Sequence, residues 1–262
     1  MKSNISVIIP VHEINEQLKP LLNNAVKSVI EQIVQPEELI FVIPIDKPEI
    51  EQAIIDTLKV NKDFTVSVIH NTGKTDFCSQ INLGVQNIKT DYFSWVGIHD
   101  EYSKIWLKNA IENINAYPEV GCFLPLIVQV NELGQFLAFG NEAVLANQFS
   151  DELGFLDLQS LLTYQGFSID GMVMKTDVYK ELGGLKTNIK LTFAYEFLLR
   201  LCHNDAKVMT ISKLGYKHVN GLPDTLFTTY KNTLTQEESR FWLAQAKKEY
   251  YFDYEREITF EK

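Results

Sequence analysis

Three polar side chains, His99, Asp100 and Glu101, close the apolar run Phe93-Ser94-Trp95-Val96-Gly97-Ile98. An imidazole beside carboxylates can ligate a divalent cation or move a proton. The run reads as a buried strand, so the cluster falls where the chain leaves the sheet. Ligands gather at such strand ends in open α/β sheets. Other groups of the same kind are His12-Glu13 after Ile5–Val11, Asp46 after Phe41–Ile45, and His218 at the end of Gly215–His218. Asp170 lies in Ser168-Ile169-Asp170-Gly171, and Glu196 stands four residues before Arg200, one helical turn away.

The elements that must position these groups alternate along the chain. Strands are expected at 5–11, 39–45, 65–69 and 92–98, with helices at 16–32, from Pro48, at 77–88 and at 104–117. Strands apolar on both faces and separated by helices predict a parallel sheet covered on both sides. Beyond Gly121 the pattern changes. Strands are expected at 122–130, 136–139 and 169–174, helices at 177–182 and 193–203, and two short strands at 208–211 and 215–218. The stretch 141–168 lacks clean periodicity, and a tail helix is expected over 236–253. No internal repeat or Pro/Gly/Ser-rich linker divides the 262 residues, so one continuous domain is expected.

Composition narrows the partners. A net charge of −10 and a pI near 5.0 argue against nucleic-acid binding, although a phosphate-bearing small ligand remains compatible. No apolar run approaches the ~20 residues of a membrane span, and Ile5–Ile9 reads as a strand and not as a signal. Cys78, Cys122 and Cys202 are scattered and lack metal spacing, which fits a reduced, cytoplasmic setting.

The ordered fragments carry a resemblance. Ile5-Ser6-Val7-Ile8-Ile9-Pro10-Val11, then Ala25-Val26-Lys27-Ser28-Val29-Ile30-Glu31-Gln32, resembles the opening of the family 2 glycosyltransferases. Asn71-Thr72-Gly73, Asn82-Leu83-Gly84, Thr90-Asp91-Tyr92 and Asp100-Glu101-Tyr102 continue it. Val178-Tyr179-Lys180-Glu181-Leu182-Gly183-Gly184 and Glu196-Phe197-Leu198-Leu199-Arg200 end it. The resemblance implies an α/β GT-A fold, a mostly parallel sheet flanked by helices with a C-terminal helical tail. It assigns residues 1–120 to the nucleotide, 121–220 to the acceptor and 221–262 to the extension. It also implies transfer of a sugar, with inversion, from a nucleoside-diphosphate sugar to a hydroxyl of a glycan or other acceptor.

Applied residue by residue, the resemblance places Pro10, Val11, His12, Glu13 and Asp46 at the nucleoside and Asn71, Gly73, Lys74 and Asp100 along the donor. Asp46 has an alternative role as cap of the helix opened by Pro48, and Lys74 as a solvated lysine. The family's Asp-x-Asp metal motif becomes Gly97-Ile98-His99 here, followed by Asp100. His99 and Asp100, helped by His218, would then hold Mn²⁺, since imidazole suits Mn²⁺ better than Mg²⁺. Glu101 reads as an acid at a helix N-terminus. The family's Glu-Asp pair six residues ahead of the helix Arg is Phe193-Ala194 here. Glu196 is the expected base, oriented by Arg200 or Tyr195, or else it is an ordinary Glu–Arg pair; Asp170 is the second candidate. Gly183-Gly184 is followed by Leu185-Lys186 in place of an aromatic-Asp pair. These changes also admit a relative that binds nucleotide sugar or glycan without efficient transfer. No Gly-x-Gly-x-x-Gly opens an early helix, against a dinucleotide oxidoreductase, and no basic glycine-rich loop follows the first strand, against a nucleotidyltransferase. The tail, with Phe241, Trp242, Tyr250 and Tyr251, would pack on the acceptor half or form a homodimer contact.

Overall fold

The computed structural model of the chain describes residues 3–12, 14–58, 64–146, 153–222 and 225–260. The first half alternates strand and helix: β1 (Ile5–Pro10), α1 (Leu18–Ile30), β2 (Glu38–Pro44), α2 (Pro48–Thr57), β3 (Thr65–Asn71), α3 (Phe77–Asn87) and β4 (Tyr92–Trp95). Then come β5 (Glu101–Tyr102), α4 (Trp106–Ala116), β6 (Val120–Val130), β7 (Phe136–Gly140), α5 (Ala143–Ala146), β8 (Phe155–Leu156) and α6 (Leu158–Thr163). The remainder is β9 (Val173–Lys175), α7 (Thr176–Glu181), α8 (Phe193–His203), β10 (Lys207–Val219), α9 (Leu226–Thr233) and α10 (Gln236–Glu249).

The strands form one sheet in the order β3-β2-β1-β4-β9-β6-β10-β5, with β7 on β6 and β8 on β10. The long ladders, β3-β2-β1-β4 and β6-β10, run parallel, and shorter antiparallel pairs through β9 join them. Alternation within each strand explains why both faces are covered. Ile8, Ile40, Val42 and Trp95 point into the core beneath α3 and α8. Val7, Ile9, Phe41 and Ile43 point into the opposite core beneath α1, α2 and α4.

Local chemistry sets the helix starts nearest the strand ends. Asp76 caps α3, accepting from Ser79 N at 3.0 Å, and Asn15 accepts from Leu18 N at 2.9 Å to start α1. Thr235 and Glu238 form a capping box at α10. This helix lies against α8, burying Trp242 and Ala246, with Tyr250 buried just beyond its end.

Three expectations are corrected. The strand expected over 169–174 is confined to Val173–Lys175, because Gly171 takes φ 67 and turns the preceding residues out of the sheet. The two short strands of 208–211 and 215–218 are one strand, β10, with irregular register between Ile211 and Tyr216. Glu101 does not start a helix: it lies in β5 and pairs with Lys217 across the ladder to β10. Three elements, β5, β8 and α9, were not expected from the sequence.

Candidate functional site

The carboxyl ends of β1, β4, β6 and β10 converge on a cavity of about 570 Å³. Its floor is polar: His99 and Asp100 follow β4, Gln129 lies on β6, and His218 on β10. Asp170 joins them from the turn before β9. The facing wall comes from the first turns of α3 and α8, and Thr225, Thr229 and Tyr230 line the cavity from α9 and its cap. Among the described residues lining the cavity none is Lys or Arg, so the histidines His12, His99 and His218 are its basic groups.

Asp100 is the anchor of the floor. It is 7% exposed, with Oδ2 accepting from the Tyr216 hydroxyl at 2.8 Å and Oδ1 from Val219 N at 3.0 Å. The Tyr216 hydroxyl also accepts from Gly97 N at 3.1 Å. Burial, then Asp100, push the Tyr216 phenol well above its ordinary range, so it stays a donor. His218 Nδ1 stands 3.1 Å from Asp100 Oδ1, off the line of a straight hydrogen bond but at ion-pair distance. Burial works against charge on His218, yet the Asp100 contact and the charges of Asp100 and Asp170 outweigh it and raise its pKa to about 9. At neutral pH His218 is therefore an imidazolium.

The polar groups of the floor turn toward one another. A Cβ at position 97, where the family carries its first acid, would lie 3.0 Å from Asp100 Oδ2, because that carboxylate folds back into the space. Each Asp100 oxygen accepts one protein hydrogen bond, from Tyr216 Oη and from Val219 N. Among the described residues no group of three His, Cys, Asp or Glu side chains could hold a metal ion. Of the residues expected to hold Mn²⁺, His218 stands against Asp100 as an ion pair, and His99 lines the same cavity beside them.

Asp170 is held for a different task. Ser168 Oγ donates to its Oδ2 at 2.6 Å and accepts from its backbone N at 3.1 Å. Asn141 clamps Ser168 from both sides, donating to its carbonyl at 2.9 Å and accepting from its N at 2.8 Å. The Gly171 carbonyl receives the Trp106 indole N–H at 2.9 Å and Ser94 Oγ at 3.3 Å. The turn is therefore rigid. Burial raises the Asp170 pKa; His218 and Ser168 pull it down and Asp100 pushes it up.

Glu196 lies elsewhere. It is 0% exposed and does not line the cavity. Arg200 grips it at 2.8 Å and 3.0 Å, and Lys186 Nζ stands 3.1 Å away. Arg200 also donates to the carbonyls of Leu182 and Gly184. A carboxylate between two cations, sealed from the cavity, cannot reach an acceptor proton, so the placement counts against the base role. One turn earlier on α8, Phe193 and Ala194 do line the cavity, at the positions that correspond to the family's acid pair.

The donor residues divide similarly. Pro10 and His12 line the cavity, while Val11 is 0% exposed in the core and Glu13 lies outside the described residues. Asp46 is exposed beyond β2 and away from the cavity lining; the N-cap of α2 is Lys47, without a side-chain bond. Asn71 spends its amide on its own turn, donating to the Lys74 carbonyl at 2.7 Å and accepting from Gly73 N at 2.8 Å. Gly73 and Lys74 are exposed on that turn, outside the lining. Sequence reading missed Asp76, Tyr216 and the α9 residues. A Ser three residues after Asp76 was a legible capping signal, whereas nothing in the sequence links Tyr216 to Asp100, 116 positions away.

The comparisons agree with this architecture. Residues 6–157 match the family described as Glycosyl transferase family 2. No curated protein matches the chain in sequence. A crystal structure of S. aureus TarS 1-349 superposes with a TM-score of 0.60 at 15% identity, covering 92% of this chain and 70% of that one. TarS 1-349 in complex with UDP-GlcNAc gives a TM-score of 0.65 at 15% identity, covering 92% of this chain and 65% of that one. The chain thus spans about two thirds of the length of these structures. With the parallel sheet, the strand-end cavity and a family match over more than half its length, the chain belongs to glycosyl transferase family 2 and is a glycosyltransferase of GT-A fold.

Proposed function

We propose that the protein transfers a sugar from a nucleoside-diphosphate sugar to an acceptor hydroxyl with inversion, and that Asp170 is the base. The observation that carries this reading is Asp170 itself, a cavity carboxylate on a clamped turn whose pKa burial raises. A carboxylate raised toward neutral pH is a better proton acceptor. The acceptor oxygen attacks the anomeric carbon, its proton passes to Asp170, and the bond to the diphosphate breaks with its electron pair on the leaving group. His218, with His12 and His99, faces the departing charge. Residues 1–120 hold the donor, with Pro10, His12 and Asp46 toward the nucleoside and Asn71, Gly73 and Lys74 as the adjoining turn; residues 121–220 hold the acceptor, a glycan or another hydroxyl compound. The UDP-GlcNAc held by the TarS structure supports uridine nucleotides as the first donors to try. The three free cysteines, and the lack of a membrane-crossing helix among the described residues, are compatible with a reducing, cytoplasmic setting.

A thermal-shift panel of nucleoside diphosphates and nucleotide sugars, each with and without Mn²⁺, tests the donor site. Ligand at ~100 times its dissociation constant adds about 2.7 kcal/mol of stability. One nucleotide is expected to shift the melt without metal. A strictly metal-dependent shift would return the cation to the site, and no shift with any nucleotide would remove the donor. A second reading, binding without efficient transfer, is favoured by Gly97 and Ala194 at the family's acid positions. Turnover of the donor found in the panel, lost in Asp170→Asn, separates the two.

A further inference from the structure

The cavity wall opposite the polar floor is apolar and braced. Phe77 and Phe193 meet with ring centroids 5.8 Å apart, and Phe77 stands edge-on to the buried Trp95 at 6.0 Å. Beside them Leu191 is held at φ 61, in the left-handed region that a leucine rarely adopts. Backbone outliers of this kind concentrate at ligand clamps. Ala194 and Leu226 complete the wall, and all five side chains are half-buried and line the cavity. Ala194 and Phe193 fall where the family carries two carboxylates, so this turn of α8 brings no charged side chain to the cavity.

On the reading that this cavity joins donor and acceptor, we infer that the acceptor carries an apolar ring or chain beside its reacting hydroxyl, and that this group seats on Phe77, Leu191, Phe193, Ala194 and Leu226. A sugar hydroxyl turned toward these side chains would surrender its hydrogen bond to water and gain none from them. A compound with an apolar body and a hydroxyl head matches both surfaces: the body covers the wall and the hydroxyl reaches Asp170 on the floor.

Binding without turnover tests this. The whole chain is titrated calorimetrically with matched methyl and phenyl β-glycosides of glucose, galactose and N-acetylglucosamine. In at least one pair the phenyl compound is expected to bind about tenfold tighter, the gain from burying one ring. That advantage should vanish in both Phe193→Ser and Ala194→Asp, two cavity-facing changes, while nucleoside-diphosphate binding and the melting temperature stay near those of the parent. Equal affinity for methyl and phenyl partners, or no binding by any glycoside, overturns the inference. So does competition between uridine diphosphate and the phenyl glycoside, which would give the wall to the nucleobase. Failure of the nucleotide panel with aryl binding intact strikes the donor reading and leaves this one standing.

Discussion

At the scale of single residues, two carboxylates on one floor have been given different surroundings. Asp100 accepts from Tyr216 and Val219 and neutralises His218, whereas Asp170 has one hydroxyl partner and a raised pKa. Asp170→Asn is therefore expected to lower kcat by at least ~100-fold, the usual worth of a positioned base. Nucleotide-induced thermal shifts should persist in that variant, and their loss would recast Asp170 as a binding group. His218 makes a pH prediction. Its pKa rises from 6.5 unfolded to about 9 folded, so its stabilising charge is fully present below pH 6.5 and lost as pH climbs toward 9. The groups around it are Asp100, Asp170 and Asn220. Melts across that window should fall by the equivalent of about 1–3 kcal/mol, and His218→Gln should flatten the slope. A parent melt flat from pH 6.5 to 9 would remove the imidazolium.

At the scale of elements, the turn before β9 does more than a strand there could. Gly171 takes φ 67, and a Cβ on it would lie 2.3 Å from Tyr216 Cδ2. Gly171→Ala must both strain the backbone and displace the ring that holds Asp100. The expected cost is about 2 kcal/mol or more, read as a lowered denaturation midpoint. A near-neutral alanine would mean the turn is softer than its hydrogen bonds imply. The apolar run 169–174 resembles a strand on hydropathy alone, because Ile169 and Met172–Met174 are all buried. Only Gly171 signalled the turn, and a lone glycine inside an apolar run is a weak signal. The helices α1, α2, α3, α4 and α8 were legible from spacing and caps. The helix α9 was not, and none of its described side chains is fully buried.

At the scale of the whole molecule, the C-terminal segment is stitched to the α7–α8 region through buried charge. Lys186 donates to the carbonyls of Glu249 at 2.6 Å and Phe252 at 2.7 Å, and stands beside Glu196. Burial lowers the Lys186 pKa, while Glu196 pulls it back up. Glu196→Gln leaves Lys186 and Arg200 as poorly compensated buried cations, at a cost of about 3–5 kcal/mol. Chemical denaturation should show this loss, with any fall in turnover tracking the unfolded fraction. A stable Glu196→Gln that is catalytically dead would restore Glu196 as the base.

The sequence by itself determined the strand and helix alternation of the first half, the family and the strand ends where a site could form, because hydrophobic period and cap residues act locally. It also read Phe193 and Ala194 at the family's acid positions, and the helix α8 brings both to the cavity. Tertiary structure decided what each polar group does there. Whether Asp100 binds a metal or an imidazolium depends on Tyr216, His218 and Val219, brought by β10 from more than 100 positions away. Whether Glu196 meets substrate depends on Lys186 and the tail that seals it. Burial and charge pairing are long-range quantities, and a carboxylate's role follows from its neighbours more than from its place in a motif.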